Sequence, residues 1–416
     1  MIKIERLKSR MIAMADIGRT EKGGVTRLAL SEEDRKARNL FINWMEDLGM
    51  YVRYDDVGNI YGRIEGTDPT APVIVAGSHL DSVPKGGKFD GVLGVLGALE
   101  AVNAILEQGI DHRHPIEIVS FTNEEGARFT PQMLGSGVVS EIFSLDYVYD
   151  RQDQHGLYFK DELEKIGFIG ERSNRLKNVS AFIELHIEQG PVLDFEQQSI
   201  GVVQGISGFS WMEVNVRGDS NHSGSTPMKL RKDSLVTAAS IIAEIDSWAR
   251  QRTDGTVATV GQIHSTPGII NAIAGETNFT IDVRHSNTNQ LENCKKEIEQ
   301  IIKKVTTKNE MKYTLKEIWS HDPVRFSPDL VNVLERICQQ HDFSFKRMNS
   351  GAGHDAMYIS KISETAMIFV PSKNGKSHCE DEDTPWEQIE KGVTVLYETL
   401  CFLSTVKYPL KNYKGG

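Results

Sequence analysis

An α/β fold is what this sequence predicts: a mixed sheet covered by helices, interrupted by a smaller inserted α+β domain of four strands and two helices. Three observations predict it. Strand-like apolar runs alternate with helical periods over the first 210 residues, a half-exposed alternating texture takes over near Trp211, and the first texture returns after about residue 325. A chain of 416 residues also exceeds one ordinary core and suits two domains. The expected boundaries are 1–210 with 325–416 for the discontinuous main domain and 211–324 for the insert.

The elements follow in order. Ala71 to Ser78 (APVIVAGS) is a short apolar run, as in a buried strand. Between Gly91 and Gln108, apolar residues at Val92, Val95, Leu96, Leu99, Val102 and Leu106 keep a helical period. Pro115 to Phe121 (PIEIVSF) and Ala181 to Glu188 (AFIELHIE) are further strands. Strand–helix–strand units of this kind build a parallel or mixed sheet, with ligands beyond the carboxyl ends of the strands. In the insert, Trp211–Arg217, Val257–His264, Glu276–His285 and Lys312–Glu317 read as strands, and Lys229–Arg250 and Asn287–Val305 as helices. Ile368–Pro371 is strand-like. Thr384, Pro385 and Glu387 then read as N-cap, first-turn proline and capping-box glutamate of a last helix.

Composition narrows the function classes. A net charge of −11 argues against nucleic acid, whose phosphates it would repel. Four dispersed cysteines without CxxC spacing speak for a reducing cytoplasm rather than disulfides. The N-terminal residues lack the apolar core of a signal peptide, and no apolar run reaches membrane-spanning length, so a soluble cytoplasmic protein is expected.

Five loop-like segments concentrate histidine and acid: Gly77–Asp81 (GSHLD), Lys88–Gly91 (KFDG), Thr122–Gly126 (TNEEG), Glu184–Gly190 (ELHIEQG) and Asn374–His378 (NGKSH). Imidazole and carboxylate suit zinc, manganese or cobalt. Two cations need about three protein ligands each, with a shared carboxylate between them. His79 and His186 are placed to serve one cation, Glu125 and His378 the other, and Asp90 to bridge. Asp81, two residues after His79, offers a carboxylate to the second ring N–H. Glu124 beside Glu125 suits a pair in which one carboxylate binds metal and its neighbour moves protons. Singly, each has an ordinary reading. A histidine after a strand usually belongs to the core or surface, an acidic doublet to a solvated loop, and Glu184, His186 and Glu188 to an exposed strand face. Their joint occurrence at strand ends carries the metal reading. His112, His114, His155, His321 and His341 read as surface residues.

The segments GSHLDSV, FDG, TNEEG, LHIEQGP and SH resemble the M20 metallopeptidase-like amidases, in particular their hydantoinase/carbamoylase group. The resemblance spans nearly the whole chain. It implies His79, Asp90, Glu125, His186 and His378 as ligands of two divalent cations, manganese or zinc with cobalt or nickel as alternatives, and Glu124 as general base. It also implies substrate roles for Gln189, His222, Asn271, Arg284, Gly353 and His354. His222 would come from the insert of a partner subunit in a homodimer built through that domain.

The expected substrate is a small ureido or carbamoyl carboxylate. NFTIDVRH, SGAGHDA and IFVPSKNGKSH look closer to allantoate amidohydrolases than to N-carbamoyl-L-amino acid hydrolases or β-ureidopropionases. Allantoate would yield ureidoglycine, ammonia and carbon dioxide. The rivals are a dipeptidase or aminopeptidase on the same scaffold, and a silent metal-binding protein that would have no use for Glu124. The run Cys379–Asp383 (CEDED) departs from the group's usual continuation by its acidity. Cys379 beside His378 reads as pointing away from the metals.

Overall fold

The computed structural model describes residues 1–406, which form two compact units. One comprises Met1–Gln204 with the described residues from Phe326 on; the other is Gly205–Arg325.

The first unit holds a mixed sheet. Its strand order is Tyr51–Tyr54, Ile60–Ile64, Ile116–Phe121, Val73–His79, Val179–Ile187, Glu364–Val370 and Ile200–Ile206, with Phe345–Ser350 pairing off this path; Val324–Arg325, the last residues of the second unit, pairs with Gly205 and Ile206 as the ninth strand. The four strands from Ile116–Phe121 to Glu364–Val370 run parallel, and their flanking neighbours Ile60–Ile64 and Ile200–Ile206 run antiparallel to them. Val73–His79 and Ile116–Phe121 are buried along their whole length, as parallel strands covered on both faces must be. The helix Val92–Gln108 packs on this sheet and against the helix Trp386–Thr405. Every residue from Val92 to Ile105 is buried, which accounts for its nearly all-apolar sequence.

The insert is an antiparallel sheet under two helices, Ser234–Arg250 and Thr288–Lys308. Val214, Val216, Ile241, Phe279, Ile281 and Ile298 are among its core residues. It has five strands rather than the expected four. The run Val257–His264 breaks into Val257–Thr259 and Ile263–Thr266, which pair with opposite halves of Glu276–His285. Gly261 lies in the break, where it brings no side chain to hold the ladder.

The expected cap of the last helix also differs. Pro385 is extended (φ −60°, ψ 134°), the helix begins at Trp386, and no side chain caps it. Thr384 Oγ1 is buried and bonds nothing among the described residues. Glu387 pairs with Lys391 instead of reaching back. His114 is buried rather than a surface residue. Its ring nitrogens lie 2.7 Å from the Pro72 carbonyl and 2.8 Å from that of Val406, so it fastens the end of the last helix to the sheet. Among the described residues no helix is long and apolar enough to cross a membrane.

Candidate active site

Parallel pairing sets His79 beside Phe121 and Phe369 beside His186. The loops that leave these four strands therefore share one edge, where they carry Asp81, Glu124, Glu125, Gln189 and His378. Asp90 arrives on the turn into the helix Val92–Gln108. Gly91 makes that turn possible. Its φ is +66°, and a Cβ there would stand 2.3 Å from the His79 ring.

Asp90 is the meeting point. Its Oδ1 lies 3.2 Å from His186 Nε2 and 3.8 Å from His79 Nε2. Its Oδ2 lies 3.3 Å from His378 Nε2, which in turn is 3.4 Å from Glu125 Oε2. Two ligand-spaced groups thus share one carboxylate: His79, Asp90 and His186 on one side, Asp90, Glu125 and His378 on the other. A third group, Glu184, His186 and His354, overlaps the first. Cys379 belongs to none of these groups among the described residues.

Hydrogen bonding fits this donor set to divalent cations. His79 Nδ1 faces the Asp81 carbonyl at 2.9 Å, and His186 Nδ1 faces the Ile187 carbonyl at 2.9 Å. Both rings therefore donate through Nδ1 and present Nε2 toward Asp90, the tautomer that ligation requires. Asp81 does serve His79, but through its main chain. Its carboxylate Oδ1 stands 3.9 Å from Nδ1; instead Oδ1 accepts the Glu124 N–H at 3.2 Å and Oδ2 the Glu125 N–H at 3.3 Å. Asp81 thereby fixes the backbone of the acidic pair.

Electrostatics point the same way. Burial opposes a charge on Asp90, yet His186 and His378 outweigh it and hold its carboxyl well below the ordinary range. Burial also opposes a charge on His186, but Asp90 and Glu184 raise it to about 9. His79, farther from Asp90, is pushed by burial down to about 4. An arrangement that holds a proton between His186 Nε2 and Asp90 also suits a cation there. Burial, with Asp355, Glu125, Asp81 and Asp90 nearby, raises Glu124 well above the carboxylate range, and burial with Asp90 does the same to Glu125. So many buried acids in one place call for cations as counter-charge.

Glu124 itself has Oε2 3.5 Å from His79 Nε2. Its loop is pinned by Asn123, in the left-handed region at φ 59°, whose Nδ2 donates to the Phe129 carbonyl at 2.8 Å. Gln189 Nε2 donates to Asp90 Oδ2 at 2.9 Å and lies 3.2 Å from His378 Nε2. His354 is buried with its ring edge-on to His186, centroids 4.5 Å apart, and its Nε2 3.0 Å from Ser350 Oγ. Gly353 lies against the Gln132 and Met133 side chains, where a Cβ would meet Gln132 Nε2 at 2.8 Å. Glu184 and Glu188 are buried rather than on an exposed strand face. Glu184 accepts from Ser78 Oγ and the Ala356 N–H, and Glu188 from the Val192 and Leu193 N–H groups.

The remaining expected residues belong to the insert. His222 and Asn271 are exposed neighbours, joined by a bond from the Ser223 N–H to the Asn271 carbonyl. His222 Nδ1 accepts from the Gly224 and Ser225 N–H groups, which leaves the ring proton on Nε2. Arg284 is oriented by Asp282 and lies over the Phe209 ring.

Ser377, Asp355 and Glu382 were not anticipated. Asp355 is buried, accepts from Ser136 Oγ and leaves Oδ2 without a hydrogen bond among the described residues. Its only sequence signal is its place beside His354. Glu382 is one of four consecutive acids, Glu380 to Asp383, and nothing in that run marks which of them folds inward.

The profile of Peptidase family M20/M25/M40 matches residues 75–401. An N-carbamoyl-L-amino-acid amidohydrolase of Rhizobium meliloti is 38% identical over 96% of this chain and 96% of its own length. An allantoate amidohydrolase of Bacillus subtilis is 35% identical over 94% of this chain and 95% of its own. The crystal structure of a hydantoinase/carbamoylase-family amidase from Burkholderia multivorans superposes with a TM-score of 0.95 at 37% identity, covering 97% of this chain and 98% of that one.

Proposed function

Since this chain belongs to peptidase family M20/M25/M40, and within it to the metal-dependent hydantoinase/carbamoylase amidohydrolases acting on C–N bonds, we propose that it hydrolyses the carbamoyl group of an N-carbamoyl-L-amino acid to the free amino acid, ammonia and carbon dioxide. The observation that carries the chemistry is Asp90, shared between two ligand groups with Glu124 beside them. The carbamoyl substrate is supported by relatives of that name at 38% identity. A second reading, allantoate, keeps support from NFTIDVRH, SGAGHDA and IFVPSKNGKSH, and from relatives at 34–35%.

His79, Asp90 and His186 would hold one cation, and Asp90, Glu125 and His378 the other. Bound there, divalent cations polarise a carbonyl oxygen and make water more acidic. Glu124, with Oε2 3.5 Å from His79 Nε2, takes the proton of the attacking water. It then returns the proton to the nitrogen of the breaking bond. The insert supplies the rest. His222, donating through Nε2, meets the charge that develops on the carbonyl oxygen. Arg284 and Asn271 take the substrate carboxylate. The acting His222 comes from a second subunit. Supporting this is the exposure of the large apolar residues Met228, Leu230, Val236, Ile269 and Ile270 on the unit that carries His222.

The test is ammonia release by protein reloaded with manganese or zinc, from a panel of N-carbamoyl-L-amino acids and allantoate. We expect a carbamoyl-amino acid to be the best substrate. Allantoate turned over with the highest kcat/KM would establish the second reading instead. Dipeptide cleavage without ammonia release would overturn both.

A further inference from the structure

We propose that Glu382 is a positioning residue for the cation held by Asp90, Glu125 and His378: its carboxylate ties the main chain of Asp90 to the loop of His378 and sets both in chelating register. The proposal rests on reading those three residues as ligands.

Glu382 is 3% exposed although it lies within the acidic run Glu380–Asp383. Burying a carboxylate near Asp90 is costly, so the contacts that hold it are informative. Its Oε1 accepts two main-chain N–H groups, from Phe89 at 3.0 Å and from Asp90 itself at 3.2 Å. Its Oε2 faces the Ser377 hydroxyl at 3.1 Å, and that hydroxyl is also 3.2 Å from Asp90 Oδ2. One carboxylate therefore restrains a ligand's backbone, touches the residue next to another ligand, and is linked through Ser377 to the oxygen Asp90 turns toward His378. A bond from the Glu382 N–H to the Cys379 carbonyl, 3.1 Å, closes the turn that brings the side chain back under the Asp90 loop.

Gly87 is the other half of the device. A Cβ on Gly87 would stand 1.9 Å from the Glu382 carboxyl carbon and from Oε1. Only glycine leaves room for the carboxylate, so the segment Gly87-Lys88-Phe89-Asp90 and Glu382 fit as a pair. Partners behind metal ligands typically alter affinity by about 10–100-fold when removed.

The experiment measures zinc affinity and stoichiometry by competition with a chromophoric chelator, together with the thermal shift that zinc confers. It uses wild type, Glu382→Ala, Glu382→Gln, Gly87→Ala and His378→Ala. We expect Glu382→Ala and Gly87→Ala each to weaken the equivalent that His378→Ala removes by about 10–100-fold, and to lose that part of the zinc-induced shift. Glu382→Gln keeps an oxygen for both N–H groups and should retain most of the affinity. A merely structural Glu382 would lower the metal-free melting point but leave zinc affinity untouched. That result, in Glu382→Ala or in Gly87→Ala if the former does not fold, overturns the proposal. If wild type itself shows no equivalent that His378→Ala removes, the ligand reading has failed and this proposal with it.

Discussion

A single oxygen pair decides how this centre is organised. Asp90 Oδ1 serves the histidines and Oδ2 serves His378, so its two oxygens cannot be replaced one at a time. Asp90→Ala should therefore cost both cations, whereas His378→Ala should cost chiefly one, as read by metal analysis after dialysis. Small and equal losses from both variants would remove Asp90 from its bridging place. The residues that gather around Asp90 were legible because histidine and acid at strand ends, in five separate segments, are hard to explain otherwise. The roles of Asp81 and Glu382 were not. Residue type does not say whether an aspartate will answer a histidine with its carboxylate or its carbonyl. Nor does an acidic run show which member folds inward, and Glu382 does so only because Gly87 lacks a side chain.

At the scale of elements, the parallel strands were visible as apolar runs and the site as the loops that follow them. Where the ladder depended on pairing, the sequence misled. Val257–His264 alternates like one strand, yet its halves serve different stretches of Glu276–His285. The helix Glu32–Asp47 went unassigned although Ser31 caps it, accepting the Asp34 N–H at 3.2 Å. The turn into Val92–Gln108 brings Asp90 against His79 and depends on Gly91. Gly91→Ala would force an alanine to φ +66° and drive its methyl against His79. We expect a loss of about 1–3 kcal/mol in denaturant unfolding, the usual scale of such strain, with weakened binding of the cation proposed for His79 and His186. Unchanged unfolding and unchanged metal content would contradict the assigned role of this turn.

For the whole molecule, the proposed function draws on an insert distant in sequence from the residues around Asp90. Sharing between subunits is testable directly. Mixing inactive His222→Ala with inactive Glu124→Gln protein should restore ammonia release, because in a mixed dimer one active site receives both defects and the other neither. Subunit exchange seen by mass with no return of activity would rule out His222 acting across the dimer. Underneath that lies the claim on which everything else depends, that Glu124 moves the proton while its neighbours hold the cations. Glu124→Gln measured for metal content and for ammonia release in the same preparation tests it most directly. The predicted result is a full complement of cations with turnover reduced by at least about 10²–10⁴, the ordinary worth of a general base. Turnover within about tenfold of wild type, with the metals in place, would contradict it.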